Sequence, residues 1–117
     1  MLRPEERLSL LRNQYLVRTE YGPVVVTVND ECENALENDL ILLHVPSPQE
    51  LAQFEMETPL RAFAQKMIDI IQTVGTGSFD PGERMRDMLI QEKATSDLGR
   101  IERFARDNPP AQENQPG

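Results

Sequence analysis

The sequence predicts a small α+β domain, and three observations carry that prediction. Val24-Val25-Val26-Thr27-Val28 is a β-branched run of the kind that fits a pleated surface. Leu60, Phe63, Met67, Ile70 and Val74 recur at three- and four-residue steps, the period of a helix with one buried stripe. The length, 117 residues, suffices for one hydrophobic core but hardly for two. The expectation is a single domain over residues 1–108 followed by a disordered polar tail over residues 109–117.

Pro4 with Glu5 and Glu6, then Leu8, Leu11 and Tyr15, predicts an N-terminal helix, because proline suits the first helical position and acids there face the positive end of the helix dipole. From Tyr15 onward the alternation Tyr15, Val17, Thr19, Tyr21 becomes strand-like. Gly22-Pro23 supplies a turn, and the valine run completes a hairpin. Leu40-Ile41-Leu42-Leu43-His44-Val45 is apolar on both faces, as a strand covered on two sides would be, and Pro46 ends it. That makes about three strands. The connection over residues 29–39 is about as short as a parallel crossover can be, so a small, mostly antiparallel sheet is the simpler arrangement.

The helical half opens with Ser47-Pro48-Gln49-Glu50, a cap residue, a proline at N1 and a glutamate at N3, which is the pattern of a reciprocal capping box. Thr58-Pro59 offers a second start, so residues 48–74 read as one long covering helix kinked near Pro59 or as two helices in series. Ala64, Ile68 and Ile71 widen its apolar stripe. Gly75-Thr76-Gly77-Ser78 breaks it, and Asp80-Pro81-Gly82-Glu83 begins the next helical region. There, Thr95-Ser96-Asp97 and Gly99 suggest a break before Leu98, Ile101 and Phe104, leaving one bent helix or two between residues 81 and 107. Asn108-Pro109-Pro110 ends the helical region.

Charge is unevenly distributed. The net charge is −8, yet residues 19–60 hold nine acids and no Lys or Arg, while the flanking segments are nearly neutral. Such a field attracts a basic partner and repels nucleic acid phosphates. The plainer alternative is a solvated acidic surface that only maintains solubility. Glu31, Glu33, Glu37 and Asp39 are the partner-binding candidates, because they fall together in one polar connection.

Other constellations are weaker. Asp30, Glu31, Glu33, Glu37 and Asp39 are hard oxygen donors, but the segment lacks the turn glycine and the D-x-D-x-D-G spacing of a calcium loop. Cys32 and His44, with Asp39 to orient the base, would be a nucleophile and its base, but neighbouring carboxylates disfavour a thiolate. Gly75 to Gly82 precedes a helix as a phosphate-cradling loop would, but it has neither a preceding strand nor the required lysine. No metal or cofactor is called for. Of the methionines, Met67 sits on the apolar stripe. Met85 and Met88 lie beside Arg84, Arg86 and Asp87, so together with Leu89 they form a possible apolar interface for a second copy of the chain.

A single thiol forms no internal disulfide, and no run approaches the ~18 apolar residues of a membrane span. Arg3, Glu5, Glu6 and Arg7 interrupt the place where a secretory signal needs its apolar stretch. The expectation is a cytoplasmic, non-enzymatic interaction protein of the adaptor, chaperone, immunity or assembly-factor kind. Its partner is a basic protein, with no role for nucleic acid or membrane. The alternatives are a structural subunit that self-associates, for instance as a homodimer, through its long or C-terminal helix, and a small enzyme or ligand-binding domain.

Overall fold

The computed structural model describes residues 13–77 and 82–109, and over these the chain is α+β with a four-stranded mixed sheet. The strands are β1 (Gln14–Thr19), β2 (Gly22–Val28), β3 (Ile41–His44) and the two-residue β4 (Thr58–Pro59). The helices are α1 (Pro48–Leu51), α2 (Leu60–Val74) and α3 (Glu83–Asp107). The predicted helix from Pro4, the Asp80-Pro81 helix start and the tail from residue 110 lie outside the described residues.

Spatial order in the sheet is β3-β2-β1-β4, with β1, β2 and β3 antiparallel and β4 parallel to β1. Alternation sets the two faces. Val17 on β1, Val24 and Val26 on β2 and Ile41 on β3 turn toward the helices and are at most 1% exposed. Tyr15 belongs to β1 and not to a preceding helix, and its ring meets Phe63 edge-on with centroids 5.4 Å apart. The hairpin turns one step earlier than Gly22-Pro23 suggests, since both residues are already in β2 and Thr19 pairs with Gly22. The Thr19 hydroxyl drives the reversal, accepting from the Tyr21 N–H at 3.0 Å and donating to the Gly22 carbonyl at 2.8 Å.

The third strand corrects one expectation. β3 is an edge strand covered on one side: Ile41 is buried whereas Leu42, pointing the opposite way, is 67% exposed. The fourth strand corrects another. Thr58-Pro59 adds a two-residue strand on Val17-Arg18 to the three strands expected, with Pro59 extended at ψ 146°, and the second helix start it offers follows directly, Pro59 being the N-cap. Helix α2 therefore begins at Leu60, and residues 48–74 hold two separate helices, the first only one turn long. That turn carries the expected capping box, with Ser47 Oγ accepting from the Glu50 N–H and Glu50 accepting from the Ser47 N–H at 3.1 Å. The bond from the Ser47 backbone, followed by that from His44 at 2.6 Å, holds the Glu50 carboxyl below its ordinary pKa.

Phe63, Met67 and Ile71 of α2 are fully buried, with Leu60, Ile68, Ile70 and Val74 packed at their margins. Helix α3 is one continuous helix, so neither Thr95-Ser96-Asp97 nor Gly99 breaks it. Its buried positions are Ile90, Ala94, Asp97, Ile101 and Ala105, a stripe at helical spacing with a carboxylate in its middle. Asn108 closes the helix, its backbone and side-chain nitrogens both donating to the Phe104 carbonyl.

Candidate interaction site

The four acidic candidates lie on the loop of residues 29–40 between β2 and β3, and the sequence there dictates a fixed shape. The Asn29 N–H donates to the Leu40 carbonyl at 2.6 Å, which closes the loop at its base. Asparagine side chains then take over the turns, as short polar side chains do by hydrogen-bonding their own backbone. Asn29 Oδ1 accepts from the Glu31 N–H at 3.2 Å, Asn34 Oδ1 accepts from the Leu36 N–H at 2.9 Å, and Asn38 Nδ2 donates to the Asn34 carbonyl at 2.8 Å.

Two apolar residues anchor this polar loop. Ala35 and Leu40 are fully buried in the core cluster, and Cys32 and Leu36 pack at its edge. Asn34 forms an isolated antiparallel bridge with Thr76, and the Ala35 N–H donates to the Gly75 carbonyl at 2.9 Å. The residues that end α2 therefore also secure the acidic loop. Gly75 ends the helix with its N–H on the Ile71 carbonyl at 2.8 Å, and Gly77, at φ +70°, lets the chain pass against Asn34.

Glu31, Glu33 and Glu37 are all exposed, and among the described residues none of them enters an ion pair. Asp39 differs. Its Oδ1 accepts from Arg100 Nη1 of α3 at 3.2 Å, although its side chain remains 79% exposed. The same guanidinium nitrogen lies 3.7 Å from Oδ1 of Asp97, whose side chain is 1% exposed and whose Oδ1 is 3.9 Å from Lys93 Nζ. Asp97 Oδ2 is buried without a hydrogen-bond partner. Burial pushes the Asp97 carboxyl up and the Asp39 charge adds to this, against the opposing pull of Lys93 and Arg100. From the sequence, Asp97 reads only as part of a helix-break signal and Arg100 is passed over. The available signal was the spacing of Ile90, Ala94, Asp97, Ile101 and Ala105, which puts the carboxylate on the buried stripe.

The other candidates are placed apart. The Cys32 thiol donates to the Asn29 carbonyl at 3.6 Å on the helix-covered side, whereas His44 alternates onto the opposite face and engages Glu50. Among the described residues no three His, Cys, Asp or Glu side chains converge as cation ligands. No helix of the described residues is long and apolar enough to cross a membrane. Met67 is buried, while Met85 and Met88 are 45% and 49% exposed on the first half of α3, with Leu89 partly buried beside them. A cleft of about 400 Å³ runs from Gly75 and Thr76 to Glu83 and Arg86, next to the loop's anchor. No family model matches the chain, and neither the curated proteins nor the solved structures compared with it contain a match.

Proposed function

We propose that the protein is a non-enzymatic interaction protein that uses the anchored acidic loop to bind a basic protein. The observation that carries this reading is the contrast within the loop. Its backbone is tied down by buried Ala35 and Leu40, while Glu31, Glu33 and Glu37 are exposed and, among the described residues, without a paired cation. A solubilising surface needs charge but not order. Carboxylates held on a fixed frame lose less conformational freedom on binding and present a defined potential to an approaching partner. The test is capture of binding proteins at low and high salt, using the wild type and a variant with Glu31, Glu33 and Glu37 changed to Gln and Asp39 to Asn. Salt-sensitive capture of basic proteins by the wild type alone supports the reading, and identical capture by both contradicts it.

A second reading is self-association through Met85, Met88 and Leu89 on α3, favoured by the exposure of two large thioether side chains on one helix segment. Such an interface persists as salt rises, because apolar burial is not screened.

A further inference from the structure

Arg100 stands between two carboxylates of opposite character. Asp39 on the loop is exposed and takes a hydrogen bond from its guanidinium at 3.2 Å, while Asp97, one helical turn away, is buried and faces the same nitrogen at 3.7 Å. Asp97 also meets Lys93 only at 3.9 Å, and its second oxygen has no hydrogen-bond partner among the described residues. A buried carboxylate with so few close donors gains from any further charge-assisted bond. A displacement of about 1 Å would bring the Arg100 guanidinium to such a distance from Asp97. In the structure its hydrogen bond goes to Asp39 instead.

From this arrangement we infer that Arg100 is an internal occupant of the acidic loop: an arginine side chain of a basic partner takes its place on Asp39, and Arg100 is handed over to Asp97. The inference rests on the interaction reading above and names the group that partner must present. Hand-over keeps every charge paired. Arg100 leaves an exposed carboxylate for a buried one, and Asp39 exchanges an intramolecular guanidinium for one from the partner, so the loop's fourth acid becomes available without stranding a cation.

The partner-free half is tested by the rate of rotation about the Nε–Cζ bond of Arg100, read by side-chain NMR in the wild type, Asp39→Asn and Asp39→Asn/Asp97→Asn. Asp39 is exposed, so the single variant leaves the fold in place. Slow rotation kept in the single variant and lost in the double variant is the expected result. Fast rotation in Asp39→Asn alone overturns the hand-over, whether or not the double variant folds. The partner-dependent half is tested by titrating an arginine-rich peptide. Arg100→Gln should bind it about two- to fivefold more tightly than Arg103→Gln, which removes the same charge one turn further along α3. Equal or weaker binding by Arg100→Gln overturns the displacement. Peptide binding that is insensitive to neutralising Glu31, Glu33 and Glu37 overturns the interaction reading instead, and the rotation rates still decide the hand-over.

Discussion

Gly77 lies so close to Asn34 that a β-carbon at position 77 would stand 3.0 Å from Asn34 Nδ2, and this junction joins the acidic loop to the end of α2. The backbone at Gly77 has φ +70°, a region that side-chain-bearing residues adopt at a cost. Gly77→Ala is therefore expected to lower stability by about 1–3 kcal/mol and to loosen the loop. Denaturant midpoints at unchanged slope give the first quantity, and faster hydrogen exchange at the Ala35 amide gives the second.

Gly99 is the matched opposite. It sits inside α3 with open space where a β-carbon would go, so Gly99→Ala is expected to stabilise the protein by about 0.5–1 kcal/mol through helix propensity. The same denaturant series reports it, and a loss of stability would contradict a continuous α3.

Phe63 is fully buried and stacks edge-on against Tyr15, so it ties α2 to β1. Phe63→Ala should cost about 3–5 kcal/mol. A loss below about 0.5 kcal/mol, the size expected at a surface, would contradict the packing described for α2.

Asp97 sets a pH dependence whose sign is fixed by its burial. Its folded pKa lies above the unfolded value, so this residue's contribution to stability is fully present below the ordinary carboxylate pKa. That contribution is lost as pH rises through the folded pKa. The groups acting on it are Lys93 and Arg100 on its own helix and Asp39 on the loop, while the strand residues packed in the same core, Val24, Val26 and Ile41, are apolar. Asp97→Asn should remove this fall in stability with rising pH. Unfolding midpoints across the acid range check this, and an unchanged pH profile would show that Asp97 is not titrating in a buried setting.

Much of this was legible from residue patterns, and the exceptions have physical causes. The valine run, the capping box at Ser47 and Glu50, and the stripe through Phe63 and Met67 each carry their own local signal, and each forms the expected element. Leu42 misled because an apolar residue on an edge strand looks the same in sequence as one in a covered strand, and only the sheet order distinguishes them. Thr58-Pro59 marked the second helix start, which falls at Leu60, but its pairing with β1 was not legible because it depends on a contact with a strand about 40 residues earlier. The loop's acids could be named from their clustering. Asp39's tie to Arg100 could not, since it spans 61 residues and depends on how α3 lies across the sheet.

The proposed reading requires that the loop's carboxylates, and not the net charge as a whole, recruit a basic partner. The most direct measurement is the association rate of an arginine-rich peptide across a salt series for the wild type and two variants of equal net charge. One neutralises Glu31, Glu33, Glu37 and Asp39 on the loop; the other neutralises the exposed Glu20, Glu55, Asp87 and Glu92 elsewhere. The loop variant is expected to lose the fast, salt-dependent association while the control variant keeps most of it. Equal losses in the two variants would contradict the proposed reading, reducing the loop to one part of a uniformly acidic surface.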